Sequence, residues 1–299
     1  MNIQLVFPDK TKCEFRHGNR LLARYDAETH APVTESPRPC LHPVCTLGGD
    51  VVTDFRPVDH PWHHGIGWTL TYINGNSYWG GPTYQRSTAS YEWLKNHGCQ
   101  LHKEWKADLT RPSRPTLCES IDWLSADGAV LLAEARQISA RLVNERCWCL
   151  SFESTFTNVT KKTLRLSSPV GEGRPEGGYF GLTWRGPQAW TYGRVFSKEG
   201  ESGPFMGKRT AWFAYERAAI NGNHCTLVFA DDPADPQYPT FCFVRDQDYA
   251  LASFASAYYE PWMLEPGSSL DFRHDILLVD GKITAAEVEN LLRRVRGQS

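Results

Sequence analysis

The chain has 299 residues, with 32 lysines and arginines against 34 aspartates and glutamates, so its formal net charge is −2. This near balance excludes a protein whose main task is to neutralise nucleic-acid phosphates, and no apolar run approaches the ~20 residues that cross a bilayer. The N-terminal residues lack the basic and apolar stretches of a secretion signal. We therefore expect a cytoplasmic protein that binds neither nucleic acid nor membrane.

Strand signals dominate the chain from its N-terminus onwards. Turn residues at 17–19 and Asn74-Gly75 predict tight hairpins, and the segment 146–156 alternates so that Trp148, Leu150 and Phe152 share one face. Shorter runs of the same kind predict five further strands. These runs are Thr163–Ser167, Cys225–Ala230, Thr240–Arg245, Ala250–Ala255 and Ser269–Val279.

Helical signals are few. Ser90–Asn96 is a weak candidate, whereas Thr284-Ala-Ala-Glu287 is a capping box that is followed by apolar residues at helical spacing. The proline-rich segments Ala31–Pro43 and Arg111–Pro115 are predicted to be loops. The sequence thus predicts an all-β fold: one domain over 1–299, a large antiparallel β-sandwich with a C-terminal helix over 284–297.

Nine cysteines are scattered along the chain without any C-x-x-C pair. This distribution favours neither a disulfide framework nor a cysteine zinc site. We expect reduced thiols that pack as small apolar side chains.

The densest chemistry lies in Asp59-His-Pro-Trp-His-His-Gly65. Imidazoles titrate near neutral pH, so His60, His63 and His64 are candidate acid/base catalysts. An extended segment would place His60, Trp62 and His64 on one side. A helical turn would still bring His60 near His64 by the i, i+4 rule. The alternative is that these histidines are structural and are hydrogen-bonded to the backbone.

Three further segments combine aromatic, glycine and charged residues. Gly80-Gly81 lets the backbone approach another group closely, and Arg185 suits a carboxylate or sugar hydroxyls. The alternatives are a glycine-rich turn and solvated loops. The predicted substrate-binding residues are Trp62 from the histidine segment, Trp79, Tyr84, Arg174, Arg185, Glu260 and Trp262. Glu172 is predicted to assist the histidines in catalysis.

The elements His42-Pro-Val, Asp59-His-Pro-Trp-His-His-Gly65, Trp79-Gly-Gly-Pro82 and Trp184-Arg-Gly186 resemble bacterial proteins labelled "methane oxygenase PmoA". The likeness runs from about residue 40 to Asp280-Gly281. Trp62 stands where members often carry another histidine. The resemblance implies a soluble β-sandwich with a carbohydrate-related role, and the strand pattern is also similar to the double sheet of aldose mutarotases.

The leading hypothesis is a cofactor-free epimerase or mutarotase that acts on a sugar or sugar-derived molecule. It would use His60 with His64, or His63 with one of them, as acid and base. The runner-up is a lyase or hydrolase of oxidised (keto) glycosides, with a divalent metal held by the three histidines and Asp54 or Asp59. A non-catalytic sugar-binding module comes third and a non-haem iron oxygenase last. A homo-oligomer is compatible with the sequence.

Overall fold

The computed structural model describes residues 2–201, 205–218 and 223–297. Alternating apolar and polar residues form antiparallel strands, because successive side chains of a strand point to opposite faces. In chain order the strands are β1 (Ile3–Val6), β2 (Lys12–His17), β3 (Arg20–Asp26), β4 (Cys40–Val44), β5 (Ile66–Thr69), β6 (Tyr72–Ile73), β7 (Asn76–Ser77), β8 (Thr83–Gln85), β9 (Ser90–Glu92), β10 (Cys99–Asp108), β11 (Thr116–Leu124), β12 (Val130–Asn144), β13 (Cys147–Asn158), β14 (Leu164–Ser167), β15 (Gly181–Arg185), β16 (Arg194–Ser197), β17 (Met206–Arg209), β18 (Trp212–Ala218), β19 (His224–Asp231), β20 (Phe241–Arg245), β21 (Leu251–Phe254), β22 (Trp262–Leu264) and β23 (Ser269–Asp280). Two 3-10 turns, Val33–Glu35 and Gln188–Trp190, and one helix, α1 (Ala285–Arg296), complete the secondary structure of the described ranges.

Two large sheets make up the sandwich. The nine-stranded sheet has the order β1-β2-β3-β4-β5-β15-β21-β20-β17, and the eight-stranded sheet has the order β10-β11-β12-β13-β23-β19-β18-β16. Two small sheets, β22-β14-β6-β7 and β8-β9, lie beside them. The predicted all-β antiparallel sandwich with a C-terminal helix is confirmed.

Strand β13 shows how the alternation builds two cores. Trp148, Leu150 and Phe152 are fully or almost fully buried in the main core, which draws on both large sheets. Cys147 and Cys149 point the other way, into a second core beneath α1. All nine cysteines are free and seven are buried, as the scattered spacing predicts. The single domain over 1–299 stays a prediction.

Helix α1 begins where the capping box predicts. The Thr284 hydroxyl accepts from the Glu287 backbone N–H, and the Glu287 carboxylate accepts from the Thr284 backbone N–H. Gly297 ends the helix in the left-handed conformation with φ 67°. Both ends therefore follow from local sequence.

Some local predictions need correction. Asn74 and Gly75 both have positive φ and join β6 to β7 as predicted, but Ser90–Asn96 is not helical: it opens with β9, which pairs with β8. A seven-residue helix is marginal by itself, so pairing with a neighbouring strand prevails. Within Ala31–Pro43 the chain forms a 3-10 turn at Val33–Glu35 and enters β4 at Cys40, instead of running throughout as a loop.

Strand β15 defines the face of the nine-stranded sheet on which the candidate site lies. The Trp184 ring packs at 5.1 Å from Tyr215 and 5.7 Å from Phe229, both on the eight-stranded sheet. Since neighbouring side chains alternate, Arg185 projects from the opposite face of the sheet to Trp184.

Candidate functional site

The histidine segment is a folded loop, neither extended nor helical. Phe55 and His64 form an isolated antiparallel β-bridge. Between them lie two tight turns, closed by hydrogen bonds from His60 N–H to the Pro57 carbonyl (3.1 Å) and from His63 N–H to the His60 carbonyl (2.9 Å). The second turn brings residues three apart to one side of the loop. His60 and His63, rather than His60 and His64, therefore become neighbours.

The two imidazoles stack against one another. Their ring centroids are 4.8 Å apart and their planes differ by 10°. The Tyr249 ring closes over both, at 4.7 Å from His60 and 5.4 Å from His63. The expected pairing of His60 with His64 is wrong, because the turn reverses the direction of the chain between them.

His64 is held away from this pair. Its Nε2 lies 3.1 Å from Glu35 Oε2. The two oxygens of the Glu35 carboxylate also accept one hydrogen bond each, of 2.8 Å, from Arg56. Burial lowers the pKa of His64 well below its usual value, and the charge of Arg38 lowers it further. His64 is therefore neutral at pH 7 and held by the Glu35 carboxylate, where the alternative interpretation of these histidines expects a backbone hydrogen bond.

A carboxylate and a guanidinium orient the stacked pair. Asp59 Oδ2 lies 2.8 Å from His60 Nδ1, and both Asp59 oxygens accept from Arg185 Nη2 at 3.0 and 3.2 Å. Arg185 Nη1 lies 3.4 Å from His63 Nδ1, and the guanidinium covers the Tyr249 ring at 4.8 Å. Arg185 is only 1% exposed and does not line the cavity, so it holds the histidine pair from the protein interior.

These contacts select opposite tautomers of the two imidazoles. A guanidinium can only donate, so His63 Nδ1 accepts and its Nε2 carries the proton. An ionised carboxylate can only accept, so neutral His60 donates from Nδ1 and leaves Nε2 as a base.

The pKa shifts agree with these states. Burial is the largest cause that lowers the pKa of His63 well below its usual value, and the charge of Arg185 lowers it further. Burial acts to raise the pKa of Asp59, but the hydrogen bond with His60 and the charge of Arg185 outweigh it and lower that pKa. His63 is therefore neutral and Asp59 ionised at pH 7.

Two indoles stand beside the histidines. Gly80 and Gly81, at φ 90° and 69°, let Trp62 lie directly on the backbone, since a Cβ at Gly81 would stand 2.4 Å from the indole. Buried Arg38 donates to the carbonyls of Trp62 (2.7 Å) and Trp79 (3.3 Å). The side chain that approaches the Gly80-Gly81 backbone closely is therefore that of Trp62.

These groups open onto a cavity of about 540 Å³. It combines aromatic faces, two imidazoles, two guanidinium groups and two carboxylates. Its lining residues are Asp59, His60, Trp62, His63, Trp79, Pro82, Tyr91, Arg174, Tyr179, Arg245, Asp248 and Tyr249.

Not every predicted site residue reaches this cavity. Tyr84 is buried behind Tyr91, and Glu172 is paired with Arg165 and Ser167. Glu260 is exposed after β21, and Trp262 belongs to β22. These residues, with His64 and the predicted substrate-binding Arg185, do not line the cavity.

Sequence reasoning missed much of the wall. Tyr91 lies in the segment predicted to be helical, and Tyr179 follows the glycine-rich run without being singled out. Arg245 ends β20, and Asp248 and Tyr249 lie in the connection between β20 and β21, whose sequence resembles an ordinary turn. The DQD tripeptide carries no signal for a site, so only the fold could identify this part.

The metal ligands proposed for the second hypothesis are engaged otherwise. Arg185 holds Asp59, and Glu35 holds His64. Within the described ranges, one group of at least three histidine, cysteine or acidic residues has ligand spacing, namely Asp231, Asp235 and His274. It lies on other elements of the fold.

Fold and site together define a two-sheet antiparallel β-sandwich protein with a histidine- and aromatic-lined cavity on its nine-stranded sheet. The chain belongs to a family described as a family of unknown function (DUF6807), whose model matches residues 12–293. No curated protein matches the sequence.

Among solved structures, the chain is similar to a protein from Klebsiella pneumoniae subsp. pneumoniae that is provisionally named an aldose 1-epimerase. The identity is 10%, the match covers 99% of this chain and 84% of the other, and the TM-score is 0.35. These matches do not support the resemblance to PmoA-labelled proteins. No helix within the described ranges is long and apolar enough to span a membrane.

Proposed function

We propose that the cavity binds a carbohydrate or sugar-derived small molecule and catalyses its isomerisation by cofactor-free proton transfer. The observation that carries the proposal is the stacked pair His60 and His63, held by Asp59 and Arg185 as opposite tautomers. A base and a neutral donor thus lie side by side at one wall of the cavity.

Size and lining favour a ring-shaped polar ligand. Cavities of roughly 300–1,000 Å³ are typical of small-molecule sites. Flat aromatic faces such as Trp62, Trp79 and Tyr249 can pack on the apolar face of a sugar ring, while Arg174 and Arg245 offer donors for hydroxyls or a carboxylate.

Opening and reclosing of an aldose ring needs this pair of groups. His60 Nε2 would take the proton of the anomeric hydroxyl and become an imidazolium, while His63 Nε2–H gives its proton to the ring oxygen. This leaves His63 as an imidazolate, whose negative charge is balanced by the adjacent Arg185 guanidinium and the stacked His60 imidazolium. The bond from the anomeric carbon to the ring oxygen breaks as the carbonyl forms. Closure on the other face returns both protons, so no oxidant or reductant is consumed.

The same-side arrangement favours this mutarotase-type reaction over epimerisation at a carbon. Inverting a C–H centre with two groups needs a base on one face and an acid on the other. His60 and His63 are stacked at 4.8 Å, so they act from one side.

A second candidate is β-elimination from an oxidised glycoside, which needs one base beside the acidic C–H. The guanidinium groups of Arg174 and Arg245 at the cavity wall favour it, because they can stabilise the negative charge of an enolate. In this reaction His60 would be the base and no metal would be required.

Polarimetry and NMR on freshly dissolved α-anomers of glucose, galactose and their uronic acids test the first candidate. Release of 4-nitrophenol from C3-oxidised 4-nitrophenyl glucoside tests the second. We expect acceleration over buffer, and a loss of about 10²–10⁴-fold in His60→Ala and His63→Leu. The exposed His30 gives a matched control, His30→Ala, which should keep full activity.

Survival of activity in both His60→Ala and His63→Leu would refute the proposal. Saturable sugar binding without turnover of either probe would indicate a binding module instead. Circular dichroism of each variant shows whether the fold is retained.

A further inference from the structure

A second cluster of ionisable side chains lies inside the sandwich, between its two sheets. Asp231 ends β19 and is 0% exposed, Asp235 follows in the next loop at 6%, and His274 stands opposite Asp231 on β23 at 5%. The His274 ring is packed between Phe254 (5.2 Å) and Trp68 (5.5 Å). Its orientation is therefore set by the core.

Each member of the cluster has an atom without a hydrogen-bond partner. Asp231 Oδ2 accepts from Thr240 N–H, and Asp235 Oδ1 accepts from Arg273 N–H, both at 2.7 Å. Asp231 Oδ1, Asp235 Oδ2 and His274 Nδ1 are buried and unpartnered. Buried polar atoms are nearly always paired, so three such atoms that face one another require an explanation.

The separations between these atoms fit metal coordination better than hydrogen bonding. His274 Nδ1 lies 3.4 Å from Asp231 Oδ1 and 3.5 Å from Asp235 Oδ2, beyond the usual N–H···O range of about 2.7–3.2 Å. Bonds of about 2.0–2.2 Å around tetrahedral zinc place neighbouring donor atoms about 3.3–3.6 Å apart. All three atoms lie within 4.8 Å of one another.

The charge balance points the same way. In the part of the chain that the structure describes, no lysine or arginine nitrogen forms an ion pair with either carboxylate, and Arg296 donates instead to the Asp231 carbonyl. Asp231 and Asp235 thus place two buried carboxylates beside one imidazole, and burial of a charge without a counter-ion is costly. A divalent cation would remove this electrostatic cost.

We propose that Asp231, Asp235 and His274 form a binding site for a divalent transition-metal ion of the zinc class. All three side chains are at most 6% exposed, so the role of the site is structural: it ties the end of β19 and the following loop to β23. It is independent of the proposed function, because none of the three residues lines the cavity.

The test uses the full chain without a purification tag, dialysed against zinc chloride and then against metal-free buffer. We expect about one zinc per chain by plasma mass spectrometry, and at least about tenfold weaker retention in Asp235→Asn. Asp59→Asn, which changes a carboxylate at the cavity, is the matched control and should retain zinc. EDTA should lower the melting temperature of the wild type and leave that of Asp235→Asn unchanged.

If Asp235→Asn fails to fold, X-ray absorption spectroscopy at the zinc edge of the wild-type protein still tests the proposal, because it identifies the ligand atoms. The site predicts a shell of nitrogen and oxygen only, with a single imidazole. Absence of retained zinc, a shell with sulfur or several imidazoles, or loss of zinc in Asp59→Asn alone would overturn the proposal. A cluster without zinc would then be neutralised by a proton shared between the carboxylates.

Discussion

The close packing of Trp62 on Gly81 yields a sharp prediction about both stability and the cavity. Gly81 has φ 69°, and a Cβ there would lie 2.4–2.8 Å from three atoms of the indole ring. The substitution Gly81→Ala therefore strains the backbone and also forces the indole out of its place at the cavity wall.

A comparison with a second glycine separates the cost of backbone strain from the cost of the indole contact. Gly128 has φ 87° in the turn between β11 and β12, and a Cβ there meets nothing within 4 Å. An L-residue in the left-handed region costs about 1–2 kcal/mol, and an overpacked contact adds about 1–3 kcal/mol. We expect a loss of about 1–2 kcal/mol for Gly128→Ala and about 2–5 kcal/mol for Gly81→Ala.

Urea unfolding followed by circular dichroism gives the free energy of unfolding of each variant. In addition, Gly81→Ala should weaken binding of any cavity ligand, whereas Gly128→Ala should not. Equal losses of stability in the two variants would refute the reasoning, because the indole contact would then contribute nothing at Gly81.

Three further outcomes follow from the structure. Thr284→Ala should lower the free energy of unfolding by about 1 kcal/mol in urea titrations, whereas Thr284→Ser should restore most of it, because the cap needs a hydroxyl. Burial lowers the folded-state pKa of His63 and His64, so below about pH 6.5 the unfolded chain binds more protons than the folded one. Stability should be complete above that pH and fall below it by up to about 1.4 kcal/mol per pH unit for each histidine. His63→Gln should remove about half a proton from the mean slope measured between pH 7.5 and 5.5, and an unchanged slope would contradict this account. Arg185→Gln removes a cation that lowers the pKa of both His63 and Asp59, so NMR titration should find both values raised, and an unaltered His63 titration would show that the guanidinium has no such effect.

Local patterns were sufficient for much of the fold. The alternation at 146–156 predicts β13 and the face that Trp148, Leu150 and Phe152 bury. Asn74-Gly75 predicts its hairpin because both residues tolerate positive φ, and the capping box predicts the start of α1. Each of these signals is contained within a few consecutive residues, so no distant contact is needed to interpret it.

The candidate site required the tertiary structure. The sequence indicates that His60 and His63 carry chemistry, but it favoured His64 as the partner, because a turn that reverses the chain between them leaves no periodic signature. Tyr249 lies more than 180 residues further along the chain, and it joins the two histidines because β15 pairs with β5, which follows the histidines, and with β21, which follows Tyr249. The composition and periodicity of the chain thus determined its layered β architecture, whereas the pairing of remote strands decided which side chains meet. Local preferences act over a few residues, while the position of each wall residue depends on contacts that form only when the sheets assemble.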